Sequence, residues 1–481
     1  MKKKWIAVLA AVLLAGVGLW YGWNAYWAGH LRINGDSYSL DMKTLDLSGT
    51  ENPEVDALCR LVSLESLDLR NTGLTVTDYE RLHAALRACE IFWQVPFQGQ
   101  YLEPDTESLR ITSLSEEDLR ALAYLEDLKN VDARGCQELD MLFQLRQMHP
   151  GCRIDYLVAL GEEKIPWDVK NLTVGNVDLA ELAEKLKYLP LLQQLTLGVT
   201  DGENDQIVQL VETYPQIQFR WYVELCGRYF LNTVRELDLS GTQVDSVAEV
   251  ENALRYFPNL ERVVMCNCGI PSEEMDALWK RNPEYRFVWA VPIQNFTVRT
   301  DVTVFMPYQY GCKKMENYDA KELKYLVDVM CLDLGHMRIT DLSFLPYMPN
   351  LEYLIIADCK ISDISYVAGL QKLKYLEIFL NYISDISPLA QCPELRDLNM
   401  CCNRIRDLSP LLELENLEHL WIMGNPIKYY TLEPLVEKNP DMEVYQFALT
   451  LPASSTAGGW RKIPGYYEQR DLLGMWYIDE D

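Results

Sequence analysis

The chain has 481 residues, 49% of them hydrophobic and 24% charged, a balance that argues against both a disordered tail and a multi-span membrane protein. Its 44 Lys and Arg against 71 Asp and Glu leave a net charge of −27, which disfavours a nucleic-acid binder, because phosphate recognition needs clustered cations. The five histidines, His30, His83, His149, His336 and His419, lie far apart with no metal-ligand spacing, so neither a metal nor a cofactor is expected.

The first signal in chain order is a membrane one. Lys2, Lys3 and Lys4 precede a run from Trp5 to Trp27 in which Asn24 is the one strongly polar side chain. At about 1.5 Å per residue such a run covers a hydrocarbon core of roughly 30 Å, and the lysines place its start in the cytoplasm. The expectation is a stub at 1–4, a signal-anchor transmembrane helix over 5–27, a single-pass cell-membrane location and the bulk of the chain outside. A cleaved signal peptide with its apolar core at Trp5 to Leu19 is the alternative, although no clean small-residue cleavage site follows it.

After a linker at 28–41, degenerate repeats fill 42–298. Leu45, Leu47 and Thr50 show the pattern, as do Leu67, Leu69 and Thr72, then Leu195, Leu197 and Thr200, and Leu237, Leu239 and Thr242. A longer period overlies it. Alternating stretches centre on Trp93, Tyr156, Trp221 and Trp289, which marks four cassettes. Residues 299–328 fit neither period and are read as a connector.

Regular repeats follow over 329–450. Segments starting at Val329, Leu351, Leu373, Leu395 and Leu417 lie 22 residues apart, and the template L-x-x-L-x-L-x-x-N-x-I is met by Leu373, Leu376, Ile378, Asn381 and Ile383. These segments resemble the leucine-rich repeat family in the 22-residue form of internalin-like bacterial surface proteins. The resemblance implies an α/β solenoid with parallel strands on its concave side and helices or turns on the convex side. It further implies protein–protein recognition or adhesion; with no catalytic motif in the chain, neither enzymatic activity nor a small-molecule substrate is expected. Such repeats stack because no single one buries its own apolar edge, and the bend asparagines are expected to bond backbone groups of neighbouring turns.

Other constellations have plainer readings. The thirteen cysteines are an odd number, and several occupy template positions where a small buried thiol fits. Asp201, Glu203 and Asp205 open like a calcium loop, but Gln206 stands where its glycine belongs. No nucleophile elbow, phosphate loop or His-Glu-x-x-His occurs.

Strand positions between template residues face away from the repeat core. There Tyr353, Ile355, Tyr375, Phe379, Trp421 and Met423 form an apolar, aromatic patch, the expected binding site for a protein partner. Truncating Trp421 is then expected to weaken that partner by about 2 kcal/mol and to leave stability nearly unchanged. The alternative is a structural or envelope-assembly scaffold, in which the aromatic tail at 451–481, from Trp460 to Tyr477, folds back over the patch and makes it core.

Overall fold

The computed structural model describes residues 29–175, 177–199, 204–446 and 460–474. Two compact units divide at Trp221 and Tyr222.

In the first unit the degenerate template forms short parallel strands. Thr44–Asp46, Ser66–Asp68 and Glu90–Phe92 pair so that Leu45, Leu67 and Ile91 stand in register. Ser108–Arg110, Asn130–Asp132 and Arg153–Asp155 repeat the arrangement. The strands are joined by amphipathic helices such as Val76–Ala85 and Leu139–Met148. Residues 28–41, read as a linker, contain an antiparallel hairpin of His30–Ile33 with Asp36–Ser39.

The cassette period has a structural cause. Each centre (Trp93, Tyr156, Trp221 and Trp289) is buried, and each is followed by an antiparallel hairpin. Examples are Val95–Phe97 with Gln100–Leu102 and Ala290–Ile293 with Phe296–Arg299. The first turns at Gln98 and Gly99, both with positive φ, the conformation that a tight two-residue hairpin loop requires.

The second unit contains a three-stranded sheet, Glu236–Asp238, Arg262–Val264 and Arg286–Val288, and then a seven-stranded parallel sheet. Its strands are Val304–Phe305, Cys331–Asp333, Tyr353–Ile355, Tyr375–Glu377, Asp397–Asn399, His419–Trp421 and Glu443–Tyr445. The stretch 299–328 thus supplies the first strand. Register is in phase throughout, with Leu332, Leu354, Leu376, Leu398 and Leu420 aligned and fully buried.

Between regular strands the chain turns through short 3-10 segments, including Ser387–Gln391 and Ser409–Glu413. Asp385 and Asp407 accept from the amides of Ser387 and Ser409 at 2.8 and 2.9 Å. This local bond sets the turn two residues on, and the following proline supplies a φ suited to it. The asparagine ladder forms as the template requires. Asn403 Oδ1 accepts from the Ile383 amide at 3.1 Å, and its Nδ2 donates to the carbonyls of Ile378 and Met400 at 2.8 and 3.1 Å. Asn403→Ala strands these buried backbone groups and is expected to cost about 1–3 kcal/mol. An unchanged denaturation midpoint would refute that role.

The fold class needs one correction. It was expected to include a transmembrane helix over 5–27, but among the described residues no helix is long and apolar enough to cross a membrane. Their longest helices have 10 residues, about 15 Å of rise, and residues 5–27 lie outside the described part. The described residues form stacked parallel strands joined by helices and turns.

Candidate functional site

The register places Tyr353, Ile355, Tyr375, Phe379, Trp421 and Met423 on one strand face of the second unit, as the sequence pattern requires. Tyr353 stands beside Tyr375, their ring centroids 6.0 Å apart. What the sequence did not establish is what covers them. All but Phe379 are buried, and Phe379 is half-buried at the edge of the cluster. Of the two readings of this face, open to a partner or covered by the tail, the structure has the covered one: Trp460, Ile463, Tyr466 and Leu473 pack with it.

Local chemistry explains how the tail presents those residues. Pro464 opens a helix that runs to Leu473, its fixed φ suited to the first helical position. Gly465 is buried in its first turn, and Tyr466, Gln469, Arg470 and Leu473 are the buried side chains that follow. Their spacing of three, four and seven defines one helical face. Trp460, just ahead of the helix, meets Trp421 edge-on at 4.6 Å and Tyr375 at 5.0 Å. On its other side Trp421 stacks on Tyr445 at 4.3 Å.

Polar contacts fix the register of the tail. The Trp460 indole N–H donates to Glu377 Oε1 at 2.7 Å, and the Tyr375 hydroxyl donates to the same oxygen. Glu468 accepts from the Tyr353 hydroxyl at 2.7 Å and pairs with Arg396 at 2.9 Å. Arg396 also pairs with the fully buried Asp397 at 2.9 Å, and His419 Nδ1 lies 2.7 Å from the other Asp397 oxygen. Gln309 Nε2 donates to the Leu473 carbonyl at 2.6 Å. Sequence reasoning did not single out Glu377, Arg396 or Asp397. Their signal was a pair of carboxylates on strand positions shared with aromatic residues, which in the first unit mark ordinary solvated positions such as Asp46 and Asp68.

Burial pushes the Glu377 carboxyl up to about 7, against the opposing pull of its bonds from Tyr375 and Trp460; Asp333 adds to the rise and Arg461 opposes it. A carboxylate whose pKa is raised by covering stabilises the covered state fully below its ordinary pKa, near 4.5. That contribution is lost as pH rises toward 7. Tail docking is therefore expected to weaken by about 1–3 kcal/mol between pH 4.5 and 7 and to stay level above. A midpoint of tail release followed by Trp460 fluorescence checks this. The profile should flatten in Glu377→Gln, and a wild-type profile that is flat or runs the other way would contradict the assignment.

Two overlapping stretches, 349–391 and 371–413, match the family described as Leucine Rich repeats (2 copies). Among solved structures, the chain is similar to an internalin (InlF) from Listeria monocytogenes at 16% identity, covering 88% of each chain with a TM-score of 0.25. Internalin C2 of the same species shows 23% identity over 44% of this chain and 81% of that one, TM-score 0.25. A Leptospira interrogans LRR protein, LIC12759, shows 18% over 84% and 90%, TM-score 0.26. No curated protein matches. With the 22-residue register, the parallel ladder and the asparagine bonds in place, residues 349–413 are leucine-rich repeats.

Proposed function

We propose that the protein is a recognition protein, not a catalyst, that binds a segment of another protein on the strand face of its second unit, and that its own tail occupies this seat in the present structure. The observation that carries this reading is the manner in which the tail is held. Among the described residues it adds no strand to the sheet and makes no backbone–backbone bond to the repeats. It is held by an aromatic anchor and by side-chain bonds to Glu377, Arg396 and Tyr353, as a bound peptide is. The buried carboxylates fit the same reading, since well-packed apolar residues in place of a buried ion pair often make a core at least as stable.

The second reading, a scaffold whose face is permanently filled, is favoured by the complete burial of Tyr375 and Trp421. A protease site inserted between residues 452 and 458 separates the two after the chain has folded. Recognition predicts that the cut tail dissociates on dilution, rebinds on concentration, and leaves the repeats folded. A scaffold predicts unfolding or aggregation once the tail is lost. An exported location belongs to the same proposal and is supported by Lys2–Lys4 and the apolar run after them. Digestion by protease added to intact cells supports it, and protection until lysis argues against it.

A further inference from the structure

The tail also specifies what the seat reads, an inference that rests on the recognition reading above. We propose that the partner segment is a helix preceded by an indole five residues before a glycine, with a carboxylate three residues after that glycine and an apolar residue five residues after the carboxylate. In the tail these are Trp460, Gly465, Glu468 and Leu473.

Each element answers a group in the seat. The indole supplies an N–H donor to Glu377 in a dry aromatic slot between Tyr375 and Trp421. The carboxylate meets Arg396 and the Tyr353 hydroxyl. Donor and acceptor thus meet different groups of the seat, Glu377 in one case and Arg396 with Tyr353 in the other, which fixes the direction in which a helix lies.

The glycine is the sharpest requirement. A Cβ at position 465 would stand 2.1 Å from Asp397 Oδ2, 2.9 Å from an Arg396 guanidinium nitrogen and 3.0 Å from the Tyr375 ring. Gly465 has no positive φ and lies in the first turn of a helix, a place where glycine is a poor helix former. Backbone freedom therefore does not account for it; close approach to Asp397 does. The surrounding groups are charged and paired with one another, so they do not move aside without breaking those pairs.

The same fit gives a way to open the seat without touching it. In the full-length chain, Gly465→Ala is expected to expel the tail while the repeats stay intact. A tethered tail competes at roughly millimolar effective concentration, so a free peptide binds well only once this competitor is removed. The probe is a labelled synthetic peptide of residues 458–476, titrated onto the Gly465→Ala chain and onto the unaltered chain.

One peptide per Gly465→Ala chain is expected, at least tenfold tighter than to the unaltered chain. Peptides with Trp460→Ala or Glu468→Ala should bind at least tenfold more weakly, and a Gly465→Ala peptide should not bind measurably. Alkylation of Cys401, which lies under the tail, reports independently whether the seat has opened. If the seat opens and all peptides bind equally, the pattern is wrong while recognition at this face stands. If it opens and none binds, recognition itself fails. If Cys401 stays protected, the glycine argument fails. Should Gly465→Ala not fold, the chain cut between residues 452 and 458 and freed of its tail takes the same titration.

Discussion

Replacing Trp421 with alanine is expected to lower stability by about 3–5 kcal/mol, the usual cost of deleting a fully buried large aromatic. Its side chain has no solvent exposure and lies between Tyr445 and Trp460. The cavity opens under the tail, so tail docking should fail first and the last repeat should loosen with it. As an exposed anchor, Trp421 would affect a partner and scarcely affect stability; its position beneath Trp460 reverses that expectation. Chemical denaturation of the variant decides between the two, and a loss under about 1 kcal/mol would show that the face is not covered as described.

Arg396→Met carries the second large effect. It leaves Asp397 without its guanidinium partner and takes from Glu468 one of its two bonds. Removing one partner of a buried pair costs about 3–5 kcal/mol, because the remaining charge stays uncompensated. Arg396 keeps part of its side chain in solvent, so the lower end, about 3 kcal/mol, is expected. Adding Asp397→Asn should restore much of the loss, whereas a double variant as weak as the single one would mean that the charge pair is not the cause.

The repeat architecture was legible because its signals are local. A 22-residue spacing, apolar residues two apart and asparagine at the bend each follow from a short strand, its alternation and its turn, and the ladder from Leu332 to Leu420 stands in that register. The cassette hairpins were not legible. Their turns use Gln98-Gly99 and Cys226-Gly227 where the familiar signal is Asn-Gly or Asp-Gly.

The candidate site was legible by half. Strand alternation placed Tyr353, Tyr375 and Trp421 on one face, but no local rule says where a helix more than thirty positions further on will dock. Glu377 and Asp397 illustrate the difficulty. Glu377 holds the strand position of Asp46 and Asp68, which are bonded to the Ser48 amide and to Arg70, and Asp397 holds that of Thr44 and Ser66. Beneath the tail the two carboxylates become a buried acceptor and a buried ion-pair partner.

The seating of the tail on this face is tested most directly at the Trp460 indole. Hydrogen exchange of its N–H, followed by nuclear magnetic resonance in tryptophan-labelled protein and assigned by the signal lost in Trp460→Phe, reports whether that proton is bonded and shielded from water. The bond to Glu377 and the enclosure by Tyr375 and Trp421 predict slow exchange, accelerated in Glu377→Ala and in Gly465→Ala. Exchange as fast as that of a free indole in the unaltered protein would contradict the docked tail and the recognition seat built upon it.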